Sequence, residues 1–147
     1  MITEGTINLI KKFEGRKLTA YLDSVGVWTI GYGTTMYMDG TRVKKGNKIT
    51  QERADELLKL DLERRYKAIN YLFNNVVLTR HQLEALMSLC YNIGIGAFSK
   101  STLIRKVRVN PSDPTIRKEF MKWVFGGGQV IQGLVNRRKA EADIYFS

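Results

Sequence analysis

The chain has little cysteine, histidine or proline: one Cys, one His and two Pro in 147 residues. A lone Cys90 excludes an internal disulfide framework. It lies between Leu89 and Tyr91 in an apolar helical pattern, so it reads as a small buried hydrophobe. One cysteine with one histidine, His81, is too poor a ligand set for zinc, and neither a metal nor a cofactor is expected. No run approaches the length of a membrane span, so stable membrane insertion is not expected. The stretch MITEGTINLIKKFEG carries Glu4 early and lacks an apolar core of signal length. It does not read as an export signal, which leads to an expectation of synthesis and retention in the cytoplasm. Repeats and low-complexity tracts are also missing, and the two prolines, Pro111 and Pro114, fall in one loop-like segment.

Acids are outnumbered. There are 24 Lys and Arg against 14 Asp and Glu, a net charge of +10. Such a balance predicts an anionic partner, either nucleic acid or a bacterial wall with its carboxylates and phosphates. Lys and Arg are spread along the chain rather than gathered on one recognition helix, so nucleic acid is not the expected partner. The apolar share, 44%, is enough for one packed domain over 1–147 and too little chain for two.

Periodicity and caps divide the chain. Thr3 suits an N-cap, Ile7, Ile10 and Phe13 recur at helical spacing, and Gly15 is a natural stop, which puts Glu14 in the last turn. Leu18–Leu22 and Val27–Tyr32 are rich in strand formers around the turn residues DSVG, and a third short strand is expected near Thr41–Val43. Thr50 caps a helix running to Tyr71, about twenty residues and roughly 30 Å long. Thr79 and Gln82 have capping-box spacing, and Leu83, Leu86, Met87 and Cys90 follow on one helical face. Ser101 caps a helix over Thr102–Val109. A further helix is expected from Pro114 to Val124, ended by Gly126–Gly128, and a last one over Leu134–Tyr145. The fold class is α+β: a β-rich lobe over about 15–50, a joining helix over about 51–72, and a helical lobe over about 79–147 that includes the N-terminal helix.

Most acids fall in charged helical runs such as QERADELLKLDLERR, where a solvated face is the simpler reading. Glu14 and Asp23 do not. One ends an apolar helical face and the other ends an apolar strand at a polar turn. A carboxyl against apolar surroundings tends to keep its proton, and a solvated one tends to be ionised. Two such groups across a cleft are the parts needed to cleave a glycosidic bond. Thr29 is the next polar side chain on the returning strand, and its hydroxyl is suited to hold a water. By itself the spacing Glu-x8-Asp-x5-Thr is a weak pattern, since capping and surface solvation explain common residues equally well.

The segment from Phe13 to Thr35, with FEG and AYLDSVGVWTIGYGTT, resembles the active-site segment of the phage endolysin family of lysozymes. ITQERADELLKLDL resembles that family's inter-lobe helix. LTRHQLEALMSLCYNIGIGAFSKSTL resembles its central helix and following loop. GGGQVIQGLVNRRKAEADIY resembles its C-terminal segment, with Gly133, Leu134, Arg137, Arg138 and Glu141 at the expected offsets. The resemblance covers essentially the whole chain.

It implies a lysozyme-like fold and a muramidase that cuts peptidoglycan between N-acetylmuramic acid and N-acetylglucosamine, acting as a monomer. By the same resemblance Glu14 is the general acid, Asp23 the second carboxylate and Thr29 its partner on the water side. Inversion is expected, for which a carboxyl separation of about 6.5–9.5 Å is typical. Arg137 is similar to an arginine lying close to the catalytic acid. Thr35, Tyr91 and Ser101 match cleft-lining positions, with Gln129 and Asn136 as further substrate contacts, although Tyr91 also reads as packing and Ser101 as a cap. Gly31 and Gly33 let the backbone approach a sugar closely. Thr34 departs from the pattern, because the family often has His directly after G-x-G. The resemblance also implies an endolysin that waits in the host cytoplasm until another protein opens the membrane.

Overall fold

A computed structural model describes residues 2–147. Helix α1 spans Glu4–Phe13 and begins where Thr3 Oγ1 accepts from Thr6 N. The same hydroxyl donates to Glu84 Oε1 at 2.6 Å, so one residue starts the helix and ties it to the core. Glu14 is the C-cap, its N–H bonded to Ile10 O at 2.8 Å. Strands β1 (Lys17–Leu22) and β2 (Trp28–Gly31) then form an antiparallel pair, with Tyr21 opposite Thr29 and an irregularity between Lys17 and Tyr21.

The third strand expected near Thr41–Val43 does not form. Turns at 38–40 and 45–46 cut the run on both sides, leaving isolated bridges such as Met36 with Arg42. After β2 the chain doubles back at Tyr32–Gly33, where Ile30 and Thr34 exchange backbone bonds at 2.9 Å. This reversal carries Gly33–Met38 alongside the long helix.

That helix, α2 (Gln51–Leu72), starts at the Thr50 cap and lays Ala54, Leu57, Leu58, Leu62 and Ile69 into the interior. Helix α3 (Arg80–Ile93) forms the centre. Its capping box is complete: Thr79 Oγ1 accepts from Gln82 N at 3.1 Å and Gln82 Oε1 accepts from Thr79 N at 2.9 Å. Ala85, Leu86, Met87, Leu89 and Cys90 are buried in it. Around it pack α1, α2, the short α4 (Ile95–Ser99) and the C-terminal α7 (Gln132–Tyr145). α5 (Thr102–Val109) begins at Ser101 as expected.

The helix expected over Pro114–Val124 shrinks to α6 (Ile116–Phe120). Its end tightens into i→i+3 bonds, with Lys122 N to Glu119 O and Trp123 N to Phe120 O. The following glycines do more than stop it. Strands β3 (Phe125–Gly126) and β4 (Gln129–Val130) make a hairpin across Gly127 and Gly128, whose φ values of 58° and 80° suit a two-residue turn. The expected α+β architecture, a small sheet lobe joined by a long helix to a helical lobe, is the one observed. Among the described residues no helix is long and apolar enough to cross a membrane.

Candidate active site

Glu14 leaves the end of α1 toward the gap between the lobes. Its Oε1 accepts from Arg137 Nη1 at 2.7 Å, a contact 123 residues apart in sequence that joins α1 to α7. Arg137 is 4% exposed at its side chain and has its other donors engaged. Nε reaches Glu141 Oε2 at 3.2 Å, and Nη2 reaches Ser88 O and Oγ at 3.2 and 3.3 Å. Glu141 is fully buried, pairs with Arg138 at 2.8 Å and accepts from Ser88 Oγ. Arg138 Nη2 donates to Asn92 Oδ1 at 2.7 Å, and burial draws its guanidinium down to about 10. A continuous buried polar chain therefore backs the Glu14 carboxyl and fixes which oxygen faces the protein.

The other oxygen, Oε2, lies beside Gly33. A Cβ on Gly33 would stand 3.9 Å from Oε2 and 3.6 Å from Tyr91 Oη, with the backbone at φ +99°. Glycine permits this left-handed turn and sets no side chain against Oε2. Gly31, at φ +65°, packs against Ile49 and Ala54, so its smallness serves the lobe's own packing.

Asp23 occupies the hairpin turn. Its Oδ1 accepts from Val25 N at 2.9 Å and Val27 N at 2.8 Å, which holds the carboxylate still and leaves Oδ2 without a protein donor among the described residues. Thr29 is 4% exposed and donates its hydroxyl proton to Val27 O at 2.9 Å. Its oxygen is thus left to accept. Tyr21 stands opposite Thr29: burial pushes its hydroxyl up, and the charges of Glu14 and Asp23 push it further. Sequence reasoning missed Tyr21, because a tyrosine in a strand looks like ordinary strand composition.

The remaining candidates separate. Thr35 lines a cleft of about 250 Å³ that starts at Gly33 and runs along α2. Tyr91 is nearly buried and donates to Tyr32 O, which braces the Gly33 turn from behind; burial, then Asp61 and Glu14, push its hydroxyl far up. Ser101 donates to Phe98 O and caps α5. It lines a second groove with Lys122 and Trp123, in which neither acid takes part. Gln129 is exposed on β4, and Asn136 is exposed on α7, where it accepts from Gln132 at 2.9 Å. Among the described residues no cluster of His, Cys, Asp and Glu could hold a metal ion.

A small antiparallel sheet joined by a long helix to a helical lobe is the architecture of the lysozyme class of glycan hydrolases. The family model described as "Phage lysozyme" matches residues 11–141, and the chain belongs to that family. It is 38% identical over 150 residues to the endolysin of Acyrthosiphon pisum secondary endosymbiont phage 1, covering 99% of this chain and 98% of the relative. It is 36% identical to the endolysin of Bacillus phage PZA, of which it spans 55%. The solved endolysin from Escherichia coli O157:H7 phage FAHEc1 superposes with a TM-score of 0.89 at 38% identity, covering 100% of this chain and 94% of that one.

Proposed function

We propose that this chain is an endolysin whose Glu14 is the general acid of a muramidase, with Asp23 and Thr29 directing the attacking water. The substrate is the β-1,4 bond between N-acetylmuramic acid and N-acetylglucosamine in bacterial peptidoglycan. Membership in the phage lysozyme family makes the chain a glycoside hydrolase of that wall. The observation that supports the residue roles is the placement of Glu14, held on one oxygen by Arg137 and, among the described residues, without a hydrogen-bond partner on the other, near Gly33.

Chemistry follows from the donors and acceptors. Oε2 of Glu14 carries the proton to the leaving glycosidic oxygen. On the opposite face a water donates one proton to Thr29 Oγ1, which can only accept because its own proton is given to Val27 O. The water's second proton passes to Asp23 as its oxygen bonds to the anomeric carbon. The glycosidic bond breaks, the leaving sugar gains a hydroxyl, and the new reducing end is inverted. One catalytic domain, 1–147, does this as a monomer, without nucleic acid as a partner. It is held in the host cytoplasm until a separate protein opens the membrane.

Digestion of purified peptidoglycan followed by borohydride reduction and mass spectrometry tests the reading. The expected new end is reduced N-acetylmuramic acid. Reduced N-acetylglucosamine, or cleavage of peptide bonds only, would contradict it.

A further inference from the structure

Two grooves meet on one face of α2. The first, about 250 Å³, leads from Gly33 past Thr34 and Thr35 to Asp61 and Arg64. The second, about 490 Å³, continues from Asp61 and Arg64 past Ala68 to Gly94. Asp61, Arg64, Arg65 and Ala68 stand at i, i+3, i+4 and i+7, so a single helical face floors both. Gly33, where a Cβ would stand 3.9 Å from Glu14 Oε2, lines the end of this path nearest the proposed general acid.

The charges on this face are employed differently. Arg65 is committed: Nη1 donates to Cys90 O at 2.9 Å, Nε pairs with Asp61 at 3.3 Å, and the guanidinium lies 4.9 Å from the Tyr91 ring centroid. It straps α2 to α3 and neutralises Asp61. Arg64 is exposed and, among the described residues, has no carboxylate within ion-pairing distance and no hydrogen bond. One uncompensated guanidinium therefore stands where the two grooves join. A solvated surface arginine would have the same lack of partners. What distinguishes Arg64 is its place on a path whose other end, Gly33, neighbours the proposed general acid of an enzyme whose polymeric substrate carries carboxylates.

We propose that Arg64 is a specificity-determining residue that holds a carboxylate of the wall glycan, away from the scissile bond. The inference rests on the muramidase reading above. A guanidinium's planar fork matches a carboxylate in two parallel hydrogen bonds, which a lysine would not reproduce. The carboxylate has two possible sources: the lactyl group of a muramic acid that has lost its peptide, or the stem peptide itself.

The test compares wild type, Arg64→Met and Lys118→Met, the last removing one positive charge from an exposed site on α6. Three substrates are used: intact peptidoglycan, glycan stripped of peptide by an amidase, and wall whose carboxyls are converted to neutral amides. Arg64→Met is expected to raise KM about fivefold to tenfold over Lys118→Met on a carboxylate-bearing substrate, the scale of one charge-assisted hydrogen bond in an open groove. Its kcat stays near wild type, and the gap closes on the amidated wall. A deficit on intact wall alone assigns the stem peptide; a deficit on stripped glycan assigns the lactyl group. Equal KM for the two variants on every substrate, or an undiminished gap on amidated wall, would overturn the role of Arg64. Absence of cleavage by wild type would instead overturn the muramidase reading. In that case, binding of the same variants to intact wall and to the stripped glycan still judges Arg64, and equal binding on both rejects it.

Discussion

Gly33 and Gly15 look alike in sequence and differ in what surrounds them. Gly33 sits at φ +99° against Tyr91 and Glu14, whereas Gly15 has open space where a Cβ would go and no left-handed backbone. Gly33→Ala is expected to cost about 1–2 kcal/mol of stability through its backbone conformation. Its methyl group would also occupy the approach to Glu14 Oε2, so activity should fall more than stability does. Gly15→Ala should leave the midpoint of urea unfolding nearly unchanged, and an equal loss in both variants would remove the special status of Gly33. The two acids stand out in the sequence because they lie outside the charged helical runs, at the ends of apolar segments. Arg137 came only from the family resemblance, since nothing local in NRRKAE says which arginine turns inward. The nearness of Tyr21 to both acids was illegible because folding brings them together.

Glu141 anchors α7 to the centre of the helical lobe, fully buried between Arg137, Arg138 and Ser88. Glu141→Gln leaves the buried Arg138 guanidinium without a counter-charge and Arg137 with Glu14 alone, and should cost about 3–5 kcal/mol, read from urea unfolding. A loss below half a kilocalorie would show that the network is not what holds α7. Glu119 makes a different prediction. Burial disfavours its ionised form, but hydrogen bonds from Lys122 at 2.8 Å and Lys106 at 3.0 Å outweigh this and hold its carboxyl below the usual range. A depressed folded value means that Glu119 adds stability above its unfolded value, and that this is lost as pH falls through the folded one. Glu119→Gln should therefore lower Tm at neutral pH, with the gap to wild type closing in acid below about pH 4. A gap that widens in acid would contradict the sign. Helices were legible where a cap announced them, at Thr3, Thr50, Thr79 and Ser101. The shortened α6 and the hairpin of β3 and β4 were not, because adjacent glycines mark a break equally well as a hairpin turn. The missing third strand shows the same limit: strand-forming residues need an uninterrupted partner, and the turns at 38–40 and 45–46 deny one.

On the scale of the whole molecule, the excess charge and the cleft act at different ranges. A net charge of +10 draws the protein to an anionic wall over a distance set by salt, about 10 Å at 0.1 M and 3 Å at 1 M. Wall binding should weaken steeply across that range, while cleavage of a short uncharged glycan fragment should change little. A salt-independent affinity for wall would show that the charge does not drive adhesion. Fold class and lobe order could be read from periodicity and caps because they depend on local pattern. The layout of the cleft depends on contacts such as Glu14 with Arg137, far apart in the chain, and so only the structure displays it.

The central claim is that Glu14 delivers the proton. The most direct test is the rate of reducing-end release from purified peptidoglycan by wild type and Glu14→Gln, with circular dichroism confirming that both are folded. The expected result is release by wild type and a loss of at least about a thousandfold in the variant, since an amide at this position has no proton to give. A folded Glu14→Gln protein that retained a substantial share of the wild-type rate would contradict the account.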